Sequence, residues 1–219
     1  MKIFIDFDDV LLNTGNFRND YKKIFISHGI PDCAYSEFYY DYPVKKRNRK
    51  IMKYDPKEHL RRIRKDLQIS TKTLERDISR FVKDTGKYIF DDVKGFLKKF
   101  KKDDLFLVSY AKTDFQEKKI YNSGIAKYFK GIIITDELKA EAIKSLIKKY
   151  KINIREKLFF LDDRSEQIDS IKKQYPLAIT FLVRRNTGRY QDRKNKNCDY
   201  KVIDLNSANK IIKKLCVAS

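Results

Sequence analysis

Apolar residues in this chain fall into two patterns. The first is a set of short unbroken runs: Lys2 to Phe7, LFLVS at 105–109, GIIIT at 131–135, KLFFLDD at 157–163 and AITFLV at 178–183. Runs of this length without polar alternation predict strands buried on both faces. The second is a helical periodicity between those runs, over 91–101, 115–123 and 137–150, and from 163 to about 174. A short strand near 201–203 and a closing helix complete the chain. Strands alternating with helices predict a parallel sheet covered on both sides, an α/β fold.

One stretch departs from this rhythm. From Phe17 to about Phe90 the pattern is helical throughout. Phe17, Tyr21, Ile24 and Phe25 share a face, and His28-Gly29-Ile30-Pro31 breaks it. Pro56 fits the first turn of a helix reaching about Leu67. Leu74, Ile78, Phe81 and Val82 form the stripe of another, capped by Ser70 or Thr71 and stopped at Gly86. The expectation is an all-helical insert over 16–89 within a core of 1–15 and 90–219. The tyrosine-rich stretch containing Tyr39, Tyr40 and Tyr42 is expected to be part of the insert's core rather than a base-stacking platform.

Composition narrows the function classes. With 219 residues and 42% hydrophobic content the chain can bury a real core. No apolar run approaches the 18 to 20 or so residues of a spanning helix, and Asp6, Asp8 and Asp9 interrupt any signal-peptide core. Three widely spaced cysteines and two histidines fit neither a disulfide framework nor a zinc site. A soluble cytoplasmic protein is the expectation, with no membrane partner. The net charge is +20, and 14 of those charges lie in Lys45–Lys65 and Arg184–Asn197. Such clusters raise the local concentration of anions. A nucleotide or nucleic-acid partner follows if they are functional, and a solvated surface if they reflect composition.

The chemistry sits at strand ends. Asp6, Asp8 and Asp9 close the first strand, and Asp162 and Asp163 close the fourth. In an open parallel sheet both sets fall on the same edge, where ligands gather. So many carboxylates together need a cation or strongly raised pKa values. Oxygen donors without His or Cys favour a hard ion, with Mg²⁺ the natural candidate. The second strand brings the Ser109 hydroxyl to this edge, and Lys139 follows the third. Lys144 is the second choice for that ammonium. A cation, a hydroxyl and an ammonium beside a carboxylate suit a phosphoryl group.

In that order the residues resemble the four motifs of the haloacid dehalogenase-like hydrolases: Asp6-Phe7-Asp8-Asp9-Val10, LFLVS with Ser109, Lys139, and FLDD with Asp162 and Asp163. The motifs are 103, 30 and 24 residues apart (6 to 109, 109 to 139, 139 to 163), with room for a cap after the first strand. The resemblance covers the whole chain. It implies a Rossmann-like three-layer core with a small helical cap, and a phosphatase acting on a small phosphorylated substrate.

It also implies roles. Asp6 is the nucleophile that forms an aspartyl-phosphate, and Asp8 the acid and base. Mg²⁺ is held by the Asp6 carboxylate, the Asp8 carbonyl and Asp163, with Asp162 assisting. Ser109 and Lys139 hold the phosphoryl oxygens. The acid at Asp8 points to phosphate esters, or to a phosphomutase, rather than to carbon–halogen bonds. Two positions depart from the family pattern: Asp9, where Gly is frequent, and Tyr110, where Asn is frequent. Lys45, Lys46, Arg47, Arg49 and Lys50 of the insert are candidates to attract an anionic substrate. The rival reading is a basic nucleic-acid-binding protein on the same scaffold. The sequence does not choose the substrate or the oligomeric state.

Overall fold

The computed structural model describes the chain except residues 41, 42, 47, 48, 53, 191, 192, 218 and 219; of residues 40, 43–46 and 49–52 it describes the backbone alone. Strand β1 is Lys2–Ile5. The insert follows, with α1 (Thr14–Ser27), α2 (Asp32–Tyr40), β2 (Pro43–Lys46), β3 (Arg49–Met52), α3 (Pro56–Leu67) and α4 (Lys72–Lys83). Then come α5 (Asp91–Leu97), β4 (Leu105–Tyr110), α6 (Asp114–Asn122), β5 (Gly131–Thr135) and α7 (Lys139–Tyr150). The chain ends with β6 (Leu158–Asp162), α8 (Ser165–Gln174), β7 (Ile179–Val183), β8 (Tyr200–Val202) and α9 (Leu205–Val217).

Six strands form one sheet in the order β5-β4-β1-β6-β7-β8, and every neighbouring pair is parallel. Both faces of β1 are buried, as its lack of alternation predicts. Ile3 and Ile5 pack with Leu107, Leu161, Val93, Phe96, Leu205 and Ile212, which places α5 and α9 on one face. Phe4 packs with Phe106, Phe160, Ile143, Leu146, Ile168 and Ile171, which places α7 and α8 on the other. Helix, sheet and helix make three layers. The sheet is tight where β5 begins: a Cβ on Gly131 would meet the Tyr150 ring at 2.8 Å.

The insert is helical except for one feature. Between α2 and α3 the chain makes an antiparallel hairpin, β2 with β3, which sets Lys45 opposite Lys50 and Lys46 opposite Arg49. The all-helical expectation missed it because PVKK and RKIM carry few of the β-branched and aromatic residues that mark strands. Other sequence signals act in part as expected: Thr71 stands at the N-cap of α4 but its side chain makes no capping hydrogen bond, and Phe81 is only half-buried. Asp55 caps α3 by accepting from the Lys57 N–H, with Pro56 behind it. Leu74, Ile78 and Val82 are the buried stripe of α4, which stops at Lys83, before Gly86. The insert's core, including Phe17, Tyr21, Phe25, Tyr35 and Ile63, is continuous with the Ile3 face of the sheet.

Candidate active site

Register brings the acids together. Ile5 lies beside Leu107 on one side and Leu161 on the other, so the residues that follow leave the sheet at one edge. Asp6, Asp162 and Asp163 each offer a carboxylate oxygen, all within 4.8 Å of one another. They are 5%, 0% and 4% exposed. Lys139, 2% exposed, reaches between them, with Nζ 2.6 Å from both Asp6 Oδ1 and Asp162 Oδ2. The exposed Lys144 is not part of this cluster.

Asp8 is held from a different side. Lys119 Nζ donates to its Oδ1 at 2.7 Å and Gln116 Nε2 to its Oδ2 at 2.6 Å. The Thr14 hydroxyl approaches Oδ1 at 3.1 Å. Asp9 occupies the left-handed region at φ 58°, a conformation that glycine adopts without steric cost. Aspartate tolerates that conformation better than most side chains. Its Oδ2 accepts from Arg189 Nε, and its backbone N–H donates to Thr14 Oγ1.

Burial pushes the Asp6 carboxyl up to about 7 against the pull of Lys139, with Asp162 and Asp8 adding to the rise. Burial raises Asp163 well above the carboxylate range, helped by Asp6 and Asp162. Burial acts on Asp8 in the same sense, but Lys119 and Arg189 overcome it and hold the group at about 2. For Lys119 burial wins over Asp8 and lowers its pKa, whereas Asp162 and Asp6 overcome burial and raise that of Lys139.

These residues fit a divalent cation. Lys119, Lys139 and Arg189 bond to Asp8, to Asp6 and Asp162, and to Asp9. Among the described residues, Asp163 is the one of these five carboxylates that is bonded to none of the three cations. Asp163 Oδ2 is buried without a hydrogen-bond partner. An all-oxygen donor set suits Mg²⁺. Asp162 is the more engaged of the pair: its oxygens accept from Lys139 Nζ and from the Arg164 N–H.

The acids open onto a cavity of about 750 Å³. Asp6, Asp8, Lys139 and Asp163 line its floor, with Gln116, Lys119, Arg164 and Arg189 around them. Phe17, Tyr21, Tyr39, Tyr54 and Phe115 form an aromatic wall. The Tyr39 ring stacks on Tyr54 at 4.3 Å, and the Arg18 guanidinium lies 4.8 Å from its centroid. Tyr39 is thus packed against the insert's core but half-buried and on the cavity wall, so it is not the purely internal residue that was expected. The Tyr40 side chain and Tyr42 lie outside the described residues.

Ser109 is not on the cavity wall. It is fully buried, and its Oγ accepts from Gln116 Nε2 at 2.8 Å. Arg47 lies outside the described residues, and of Lys45, Lys46, Arg49 and Lys50 only the hairpin backbone is described. In the second basic run Arg189 and Tyr190 reach the cavity. Arg185 turns inward, forming a fork with Asp92 and bonding the Val10 carbonyl. Gln116, Lys119 and Arg189 were not singled out from the sequence. The available signal for the first two is a polar pair at i, i+3 on the helix that follows the Ser109 strand.

Solved structures share this architecture across almost the whole chain. A protein provisionally described as a haloacid dehalogenase-like hydrolase from Burkholderia xenovorans LB400 matches with TM-score 0.72 and 16% identity, over 97% of this chain and 96% of that one. YfnB from Bacillus subtilis, provisionally described as a HAD-hydrolase and bound to magnesium, matches with TM-score 0.64 and 14% identity, over 96% and 97%. A protein provisionally described as a phosphatase from Clostridium difficile matches with TM-score 0.58 and 18% identity, over 96% and 97%. No family model and no curated protein matches the sequence. The fold of the haloacid dehalogenase-like hydrolases is therefore the fold of this chain. Among the described residues no helix is long and apolar enough to cross a membrane.

Proposed function

We propose that this protein is a Mg²⁺-dependent phosphomonoester hydrolase of the haloacid dehalogenase-like type, with residues 16–89 as its cap. One observation carries the reading: Asp6 and Asp8 line the floor of a cavity, with Lys139 bonded to Asp6 and a buried, unpartnered Asp163 oxygen beside it. Asp6, Asp163 and the Asp8 carbonyl would hold the ion, with Asp162 behind them. Bound there, Mg²⁺ supplies charge neutralisation for the phosphoryl oxygens.

An Asp6 carboxylate oxygen attacks phosphorus, and the bond to the ester oxygen breaks with its electron pair leaving on that oxygen. Asp8 supplies the proton the oxygen takes up; the phosphoryl charge beside it favours its protonated form. Water then attacks the same phosphorus and gives its proton to Asp8. The bond to Asp6 breaks and restores its carboxylate. Lys139 keeps Asp6 oriented and adds positive charge where the phosphoryl oxygens gather.

The aromatic wall, with Arg18, Arg164 and Arg189 near it, supports a substrate with a planar or apolar portion and extra negative charge, such as a nucleotide. The test is phosphate release from p-nitrophenyl phosphate with Mg²⁺ or EDTA, in wild type and Asp6→Asn. Metal-dependent turnover lost in the variant supports the reading. Turnover that survives Asp6→Asn sinks it. A panel of nucleotides and sugar phosphates then ranks substrates by kcat/KM.

A further inference from the structure

Helix α6 carries two polar residues, Gln116 and Lys119, that the four motifs do not include. Gln116 Nε2 lies 2.6 Å from Asp8 Oδ2 and 2.8 Å from Ser109 Oγ. Lys119 Nζ lies 2.7 Å from Asp8 Oδ1 and 2.9 Å from Gln116 Oε1. Both residues are 5% exposed, and both line the cavity. Thr113 accepts from the Gln116 N–H and so starts the helix at the right place. The ammonium also lies 5.3 to 5.9 Å from the ring centroids of Phe7, Phe17 and Phe115. An ammonium buried among rings is costly unless it is paired, so Asp8, its carboxylate partner among the described residues, sets where it sits.

We propose that Gln116 and Lys119 are positioning residues for Asp8 and Ser109, an inference that rests on the reading of Asp6 and Asp8 given above. With a donor on each oxygen, the Asp8 carboxylate cannot rotate about its terminal bond without losing a charge-assisted hydrogen bond. Its direction relative to the departing ester oxygen is therefore fixed before substrate arrives. Ser109 is tied in through the same amide. Because its Oγ accepts from Gln116, its own O–H is left to donate elsewhere. One helix thus sets both the proton-transfer group and the hydroxyl behind it. Misplacing such a group by about 1 Å costs on the order of a hundredfold in rate.

The test compares Lys119→Met, Lys119→Arg and Gln116→Met with wild type and Asp6→Asn, all shown to be folded by circular dichroism and melting. Two substrates are used with Mg²⁺: phenyl phosphate, whose leaving oxygen needs the proton, and p-nitrophenyl phosphate, whose leaving oxygen needs it far less. The expected result for Lys119→Met and Gln116→Met is a loss in kcat of about a hundredfold on phenyl phosphate and about tenfold on p-nitrophenyl phosphate, with KM changed less than about threefold. Lys119→Arg should recover a large part of the loss. A double-mutant cycle of Gln116→Met with Ser109→Ala should be non-additive in kcat/KM. If Lys119→Met does not fold, Gln116→Met, which leaves no ammonium unpaired, decides alone. The proposal is overturned if kcat stays within twofold of wild type, or if both esters lose activity equally, while Asp6→Asn is inactive. Turnover unaffected by Asp6→Asn removes the underlying reading instead, and with it the proposal.

Discussion

Arg189 Nε lies 2.5 Å from Asp9 Oδ2, joining two residues 180 positions apart in the chain. Asp9 stands in the turn after β1, and Arg189 in the segment that leaves β7. The pair is one-sided in its exposure: the aspartate side chain is 0% exposed and the arginine 28%. Burial raises the Asp9 carboxyl, and Arg189 opposes that rise. Removing the arginine leaves a buried carboxylate at a left-handed position. Arg189→Met should cost about 2–3 kcal/mol, less than a fully buried pair because water reaches one side. In an Asp9→Gly background the same substitution should cost about 1 kcal/mol or less. Thermal melts of the four proteins check this, and additive losses would refute the coupling.

Asp163 gives a test of the metal site that does not depend on turnover. Its carboxyl is raised by burial and by Asp6 and Asp162. An acid whose folded pKa exceeds its unfolded value lowers stability as pH rises from the unfolded value through the folded one. Metal-free Asp163→Asn should therefore melt at or above the wild-type temperature at neutral pH. Mg²⁺ at a hundredfold excess over its Kd should stabilise wild type by about 2.7 kcal/mol and the variant much less. Equal Mg²⁺ shifts in both proteins would place the ion elsewhere.

Lys139 is expected to be structural as well as chemical. With its ammonium gone, Asp6 and Asp162 would be two buried carboxylates without their shared partner. Lys139→Met should destabilise by about 3–5 kcal/mol, lowering Tm by about 10 °C in a chain of this size. Lys144→Ala, on the exposed side of the same helix, should stay within about 0.5 kcal/mol of wild type. Calorimetry of the two variants separates the two lysines.

His59 predicts an acid-sensitive insert. It is 0% exposed, accepts or donates through Nδ1 to the Tyr54 hydroxyl at 2.9 Å, and stacks on Phe25 at 4.8 Å. Burial lowers its pKa from 6.5 to about 4. Below pH 6.5 the unfolded chain takes up a proton that the folded one refuses, so stability falls as pH drops from 6.5 toward 4. The loss from this group reaches about 3 kcal/mol. His59→Phe should flatten the dependence of Tm on pH over that window, and parallel curves for the two proteins would count against it.

The strand-end acids were legible because their signal is local: an apolar run that stops at carboxylates is visible without knowing what faces it. Lys139 was legible for the same reason, standing in the first turn after a strand. Gln116 and Lys119 were not, because their role depends on which face of α6 meets Asp8, and the sequence around them reads as an ordinary amphipathic helix. Ser109 reads as a cavity residue from its strand alone, but Gln116 stands in front of it. The hairpin between α2 and α3 was hidden by composition, since its strands are rich in lysine and arginine. The basic run after β7 showed only its charge, either functional toward anions or solvated, and the fold divides it: Arg185 is consumed by Asp92 and Val10, while Arg189 turns to the turn after β1.

The two crossings between sheet and insert lie side by side. Leu12 bridges Ile89, the Asn13 N–H bonds the Tyr88 carbonyl at 2.8 Å, and the Phe90 N–H bonds the Leu11 carbonyl at 3.0 Å. A body on two separate tethers can swing in any direction, but tethers bonded to each other make a strap that bends about one line. Those bonds continue directly into the turn of the acids, where the Asp9 N–H bonds the Leu12 carbonyl at 2.9 Å. The chain thus enters and leaves the segment between the first two sheet strands at points one hydrogen bond apart, and the turn that carries Asp8 and Asp9 is fastened to both.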